Sequence, residues 1–166
     1  MQRALFLDRD GVINMLPPAG EYVLTVQDFF WAPKVKELVA QITKMGIPIF
    51  VVTNQQCVGK ELMAEEELLR LHTYMVEELQ KAWWSIEKVL YCPHLQSLWC
   101  SCRKPKPGML LSIFAEYPTL VPEKCLFVWD SLTDIEAGKA AGVQTLLIEK
   151  NQISDVYEQI VDFFTE

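Results

Sequence analysis

The fold is decided by the stretch Ala4-Leu5-Phe6-Leu7-Asp8-Arg9-Asp10-Gly11, in which a short apolar run ends at two carboxylates. A continuous apolar run predicts a strand buried on both faces, as in a parallel sheet. Ligands of open parallel sheets bind beyond the carboxyl ends of the strands. The sequence therefore places Asp8 and Asp10 where such a sheet would bind its ligand.

Short apolar runs alternate with amphipathic stretches along the rest of the chain. Strands are predicted at Ala4–Leu7, Ile47–Val52, Val89–Tyr91, Leu126–Trp129 and Thr145–Ile148. Helices are predicted at Val35–Met45, Ala64–Lys81, Pro107–Ala115, Leu132–Ala141 and Ser154–Phe164. This alternation predicts a doubly wound α/β fold with a mainly parallel sheet. Two irregular stretches, Asn14–Asp28 and Cys92–Lys106, are long enough to indicate functional or metal-bound loops.

Length and composition narrow the class of protein further. The 166 residues fit one domain, residues 1–166, and 51% apolar residues exclude disordered and fibrous classes. A net charge of −7 disfavours nucleic-acid binding, because phosphate contacts need clustered Lys and Arg. No apolar run reaches the roughly 18–20 residues that span a bilayer, and the N-terminus lacks the features of a signal peptide. We expect a cytoplasmic monomer without nucleic-acid or membrane partners.

The two acids after the first predicted strand indicate a cation. Asp8 and Asp10 would repel each other unless a proton or a metal ion lay between them. Mg²⁺ prefers such hard oxygen ligands. One aspartate could then act as a nucleophile while its neighbour gives and takes a proton. The alternative is an acid pair that only caps backbone amides.

Two further strand ends carry groups that suit a metal or a phosphate. Thr53, Asn54 and Gln55 follow the second predicted strand and can donate hydrogen bonds to phosphoryl oxygens. Asp130 follows the fourth, and Asp134 lies one helical turn later, a layout common at metal sites. The alternative for Asp130 is a helix N-cap.

A basic patch lies before the helix predicted at Pro107. Arg103 and Lys104 precede Pro105 in an otherwise acidic chain, which favours an anionic ligand. Pro107 suits a helix start, where its missing N–H costs nothing. A solvated basic turn is the alternative.

The loop before this patch carries a metal-binding spacing. Cys92 and His94 are followed, after five residues, by Cys100 and Cys102. Three thiolates and one imidazole form the closed tetrahedral set of a structural zinc site. We predict a Zn²⁺ that fixes the loop delivering Arg103, the alternative being four unconnected loop residues.

In this order, the motifs resemble the haloacid dehalogenase superfamily of phosphatases, over about Leu5 to Gly142. The segments 7–14, 92–94 and 102–109 resemble one branch, which holds heptose 1,7-bisphosphate 7-phosphatases and histidinol-phosphate phosphatase domains. The resemblance implies a Rossmann-like core. No large insertion follows Asp10 or Thr53, so a cap domain is not expected.

The resemblance also implies roles for the candidate residues. Asp8 would be the nucleophile that forms an aspartyl-phosphate, and Asp10 the general acid and then base. Asp8, the backbone carbonyl of Asp10 and Asp130 would hold Mg²⁺, with Asp134 as an auxiliary carboxylate. The phosphoryl group would be steadied by Thr53, Arg103 and Lys104. Substrate contacts are expected from Asn54, Gln55, the zinc loop and the loop that ends at Tyr22.

We expect a Mg²⁺-dependent phosphatase that acts on a heptose 1,7-bisphosphate, and two alternatives stay open. The Lys104–Met109 segment favours a heptose 1,7-bisphosphate, a substrate of carbohydrate metabolism. The short gap between His94 and Cys100 favours histidinol phosphate. The branch tends to have glycine at the position of Trp129, in the turn of Lys34 and near Cys57. The loss of these glycines favours a catalytically weakened, zinc-stabilised binding module. We predict that the Trp129 indole displaces the Asp130 carboxylate, so that Trp129→Gly raises kcat/KM or lowers the Mg²⁺ requirement. The alternative is that Trp129 is plain core.

Overall fold

The computed structural model describes residues 2–81 and 85–165. Five strands form its sheet: β1 (Leu5–Leu7), β2 (Ile49–Asn54), β3 (Lys88–Cys92), β4 (Leu126–Trp129) and β5 (Gln144–Leu147). The α-helices are α1 (Val35–Lys44), α2 (Gln56–Gly59), α3 (Glu65–Gln80), α4 (Gly108–Glu116), α5 (Leu132–Ala141) and α6 (Tyr157–Thr165).

The sheet is entirely parallel in the order β3-β2-β1-β4-β5. Strand β1 lies at its centre, and Leu7 pairs with Val51 of β2 and Val128 of β4. The chain builds the sheet outward from β1, first through β2 and β3 on one side and then through β4 and β5 on the other. The carboxyl end of β1 is therefore the switch point where open α/β sheets bind ligands. The acids that follow β1 and β4 are thereby brought side by side.

Alternate side chains of each central strand face opposite layers of the molecule. Leu5 and Leu7 belong to one buried cluster, which includes residues of α1, α3 and α6. Phe6 belongs to a second cluster with residues of α4 and α5 on the other face. The continuous apolar strands are explained by this double cover, because both faces of the sheet are buried.

The predicted α/β class is confirmed, and every predicted strand and helix is present with ends shifted by at most three residues. The short helix α2 was not predicted, because four residues are too few to show a helical period. No cap domain interrupts the described residues. Lys34 adopts a left-handed φ of 62° at the start of α1, a conformation that favours glycine.

Within the described ranges, no helix has the length and apolar character needed to cross a bilayer. The single-domain organisation, the cytoplasmic location and the monomeric state stay predictions from the sequence.

Candidate active site

Neighbouring strand ends meet at one cleft of about 210 Å³. The backbone N–H of Asp8 donates to the carbonyl of Val128 at 3.0 Å, which continues the β1–β4 pairing past the strand end. Asp8 and Asp130 therefore lie on adjacent strands at the mouth of the cleft. Most of the predicted site residues line it, namely Asp8, Asp10, Tyr22, Thr53, Asn54, Arg103, Lys104, Asp130 and Asp134.

Lys104 lies beneath the cleft as a buried cation between two carboxylates. Its Nζ is 3.0 Å from Asp8 Oδ2 and 2.9 Å from Asp134 Oδ1, and it donates to the Val52 carbonyl at 2.9 Å. Burial opposes the charge of Lys104, but the two carboxylates outweigh it and raise the pKa. The Asn54 side chain also holds the backbone of Lys104. Its Oδ1 accepts from the Lys104 N–H, and its Nδ2 donates to the Lys104 carbonyl.

The acids around Lys104 fit a divalent cation. Asp8, Asp130 and Asp134 offer one carboxylate oxygen each within 4.8 Å of the others. Three carboxylates and one ammonium leave two negative charges at the site. Burial raises the pKa of Asp8 to about 7, and burial with the nearby Asp134 raises the pKa of Asp130 to about 6. Mg²⁺ prefers oxygen ligands, and its two positive charges would balance the two negative charges of this site.

Gly11 is needed for this arrangement. Its φ is +84°, and a Cβ atom here would lie 2.1 Å from Asp130 Oδ2. A side chain at this position would therefore both strain the turn and displace the Asp130 carboxylate. The glycine after the acid pair is thus a requirement of this position of the Asp130 carboxylate.

Asp10 is held by five hydrogen bonds from three side chains. Arg9 donates from Nε and Nη2, Asn14 from Nδ2 at 3.0 Å, and Gln55 from Nε2 at 2.8 Å. Burial opposes the charge of this carboxyl, but the Arg9 guanidinium and these bonds outweigh it and lower the pKa. In this conformation Asp10 favours its carboxylate form.

Gln55 lies elsewhere than the sequence analysis expected. It was predicted as a substrate contact, but it is buried and does not line the cleft. Its amide Nε2 is already engaged by Asp10 and by the Thr53 hydroxyl at 3.0 Å. The amide therefore orients two site residues instead of facing the substrate.

Two residues behind Asp10 are not predicted from the sequence. Arg9 is fully buried, and its Nη1 lies 3.2 Å from Nε2 of His72, which is 63 residues away on α3. No local pattern could reveal this contact, because it depends on how α3 packs against the sheet. The loop 14–22, predicted to contact the substrate, also lines the cleft with Leu16, Pro17 and Glu21. Gln56 and Ser131 line it as well, and neither is predicted from the sequence.

The predicted zinc ligands converge at the end of β3. The Sγ atoms of Cys92, Cys100 and Cys102 lie 3.2–3.5 Å apart, and Nδ1 of His94 is 3.2 Å from Cys102 and 3.6 Å from Cys92. A tetrahedron with Zn–S bonds near 2.3 Å has edges of about 3.8 Å, close to these separations. The cysteines are free rather than disulfide-bonded. The cluster can accept a zinc ion with little change.

The same loop delivers Arg103 to the cleft. Arg103 follows Cys102 directly, and its guanidinium donates to the His94 carbonyl at 3.2 Å and to Gln56 Oε1 at 3.3 Å. Gln56 in turn donates to the Tyr22 hydroxyl at 3.0 Å. The zinc loop, α2 and the loop of Tyr22 thus meet around one basic side chain, which can bind an anion at the rim.

A central parallel sheet, acids after β1 and β4, and a buried lysine between them define a hydrolase core of the haloacid dehalogenase (HAD) type. Residues 101–159 match the family described as HAD-hydrolase-like.

Two bacterial relatives are named as heptose 1,7-bisphosphate 7-phosphatases that differ in the anomer. The chain is 36% identical to the D-glycero-alpha-D-manno-heptose-1,7-bisphosphate 7-phosphatase of Campylobacter jejuni, over 99% of this chain and 96% of the relative. It is 33% identical to the D-glycero-beta-D-manno-heptose-1,7-bisphosphate 7-phosphatase of Rhodopseudomonas palustris, over 95% and 89% of the two chains. The chain belongs to this heptose bisphosphate phosphatase family and is a phosphoric monoester hydrolase.

Solved structures agree with this assignment. The D,D-heptose 1,7-bisphosphate phosphatase from B. bronchiseptica, complexed with magnesium and phosphate, superposes with a TM-score of 0.84 at 28% identity, covering 96% of this chain and 87% of that one. An HAD-like phosphatase from Mesorhizobium loti superposes with a TM-score of 0.83 at 26% identity, covering 98% and 86%. The resemblance found in the sequence motifs is thereby confirmed.

Proposed function

We propose that this phosphatase removes the 7-phosphate of D-glycero-D-manno-heptose 1,7-bisphosphate through an aspartyl-phosphate on Asp8. The observation that carries the proposal is the cleft itself, in which Asp8 lies with Asp130 and Asp134 and pairs with Lys104. The names of relatives that match nearly the whole chain support the substrate. Histidinol phosphate is the second candidate, favoured by the short gap between His94 and Cys100.

In the first half of the reaction, a carboxylate oxygen of Asp8 attacks phosphorus and the bond to the sugar oxygen breaks. Asp10, which is the carboxylate in the resting site and must take up a proton before this step, gives that proton to the oxygen, so the sugar leaves as an alcohol. In the second half, the Asp10 carboxylate takes a proton from water while the water oxygen attacks the phosphorus of the aspartyl-phosphate. Inorganic phosphate leaves, and the Asp8 carboxylate is restored.

The remaining site residues hold the phosphoryl group and the metal. Asp8, Asp130 and the backbone carbonyl of Asp10 would hold Mg²⁺, which when bound stabilises the negative charge of the phosphoryl oxygens. Thr53 and Arg103 would donate hydrogen bonds to those oxygens. Lys104, whose three N–H groups already bond Asp8, Asp134 and the Val52 carbonyl, would contribute its positive charge.

A substrate panel tests this function. Phosphate release is measured for both anomers of the heptose bisphosphate, for histidinol phosphate and for p-nitrophenyl phosphate, with Mg²⁺ and with EDTA. We expect kcat/KM for one heptose anomer to exceed that for histidinol phosphate on the order of 100-fold, because the contacts to the sugar hydroxyls discriminate. A preference for histidinol phosphate would favour the second candidate. Absence of Mg²⁺-dependent release from every ester would favour a binding module.

We further propose that Cys92, His94, Cys100 and Cys102 hold one structural Zn²⁺. Thiolate ligands bind zinc tightly, whereas an oxygen-lined Mg²⁺ site keeps waters and exchanges its metal. Because the cluster ends directly at Arg103, the ion would also fix the position of that guanidinium.

The Cys100→Ser substitution is expected to remove most of the zinc that survives dialysis and to lower kcat/KM by roughly 10–100-fold through the displaced loop. Elemental analysis and phosphate release measure the two effects. Cys125→Ser is the matched control, because Cys125 is a buried cysteine whose Sγ contacts the Val121 carbonyl outside the cluster. A wild-type protein without zinc, with free thiols and full activity, would contradict the zinc site.

A further inference from the structure

The buried guanidinium of Arg9 has two partners of different kinds. Its Nε and Nη2 donate to the carboxylate of Asp10 at 2.8–3.1 Å. Its Nη1 points the other way and lies 3.2 Å from Nε2 of His72. Arg9 has no solvent exposure, so water does not compete for these donors. The orientation of the guanidinium is therefore set by both partners together.

The protonation state of His72 follows from this contact. A guanidinium can only donate, so Nε2 of the imidazole must accept and the ring proton must lie on Nδ1. Burial and the neighbouring Arg9 lower the pKa of His72 to about 3, which agrees with a neutral ring. Tyr91 packs against the ring with centroids 5.5 Å apart. A neutral, sterically fixed acceptor is a suitable anchor for a buried cation.

His72 is kept at a cost to the fold. Its Nδ1 is buried and has no hydrogen-bond partner within the described part of the chain. A buried donor without a partner destabilises a folded protein. A leucine at this position of α3 would fill similar space without that unsatisfied group. The imidazole is thus better explained by what it does for Arg9 than by packing.

We propose that His72 is a positioning residue for proton transfer: it anchors Arg9, which holds the Asp10 carboxyl at the reacting oxygen. This inference rests on the proposed function, in which Asp10 exchanges the proton. Without an acceptor at position 72, Nη1 of Arg9 would have no hydrogen-bond partner. The guanidinium would then rotate toward another acceptor. The carboxyl of Asp10 would then shift, and a displacement near 1 Å can cost on the order of 100-fold in rate. Attack by Asp8 does not depend on this contact.

The test compares two aryl esters with different leaving groups. The leaving oxygen of phenyl phosphate needs a proton, because phenolate is a poor leaving group. The p-nitrophenolate anion of p-nitrophenyl phosphate leaves readily without one. His72→Leu removes the acceptor at similar volume, and His72→Gln keeps an amide oxygen as acceptor. The quantity compared for every variant is kcat/KM, because it reports the first half of the reaction, in which the leaving groups differ. For His72→Leu we expect kcat/KM to fall by about 10–100-fold with phenyl phosphate and by less than about 3-fold with p-nitrophenyl phosphate. His72→Gln should recover most of the loss.

Asp10→Asn separates a failure of this inference from a failure of the proposed mechanism. It should show the same leaving-group dependence more strongly, since it removes the proton donor itself. If Asp10→Asn loses equally with both esters, the role of Asp10 is wrong. If Asp10→Asn discriminates while His72→Leu loses equally with both esters, or loses nothing, the positioning role is overturned. Thermal unfolding monitors folding, and His72→Met, with only a weak acceptor, replaces His72→Leu should that variant not fold.

Discussion

Replacing Asp8 by asparagine is expected to reduce turnover by about four orders of magnitude or more while leaving the fold intact. A neutral amide does not attack phosphorus, and removal of a covalent nucleophile typically costs this much. The substitution also removes one of the three acidic ligands, which weakens the metal site. Phosphate release with saturating Mg²⁺ measures the loss.

The fold should tolerate this substitution because the contacts of Asp8 are largely reproduced. An asparagine oxygen can still accept from the Arg9 backbone N–H, which lies 2.7 Å from Asp8 Oδ1. Lys104 would keep its ion pair with Asp134 and its bond to Val52. Thermal unfolding is the control. Residual activity above about one per cent in a folded preparation would contradict covalent catalysis through Asp8, because the loss of a nucleophile far exceeds that.

The parts of the site that follow strands could be predicted from local sequence. A continuous apolar run defines a buried strand, and the residue that follows it lies at the ligand edge of a parallel sheet. Asp8 and Asp130 were identified on this ground, and they lie on adjacent strands. The zinc ligands were predictable for a related reason, because all four fall within eleven residues and their spacing is itself the signal.

The remainder depends on contacts between distant elements. The position of Lys104 between Asp8 and Asp134 depends on where the long loop after β3 runs, which local sequence does not determine. The anchor from His72 to Arg9 joins residues far apart in sequence. Gln55 was assigned to the substrate because amides at strand ends often face ligands, whereas its amide turns inward to Asp10. Side-chain direction at a strand end is set by neighbours that a single sequence does not place.

Trp129 shows the same dependence on packing. It is the last residue of β4, and Asp130 follows it at the mouth of the cleft. The indole is 1% exposed and belongs to the buried cluster that includes residues of α4 and α5. It does not line the cleft. Of the two alternatives for this residue, the structure supports core packing.

Trp129→Gly is therefore expected to lower the free energy of unfolding by about 3–5 kcal/mol without raising kcat/KM or lowering the Mg²⁺ requirement. The loss comes from the cavity that a removed indole leaves in a close-packed layer. Trp129→Phe is the matched control: it keeps an aromatic ring and removes the buried Nε1, which has no partner within the described residues. Trp129→Phe should lower the free energy of unfolding by less than half as much as Trp129→Gly. Urea unfolding and phosphate release measure the two quantities. A glycine variant that folds, and that gains rate or needs less Mg²⁺, would show instead that the indole displaces Asp130, and the core interpretation would be wrong.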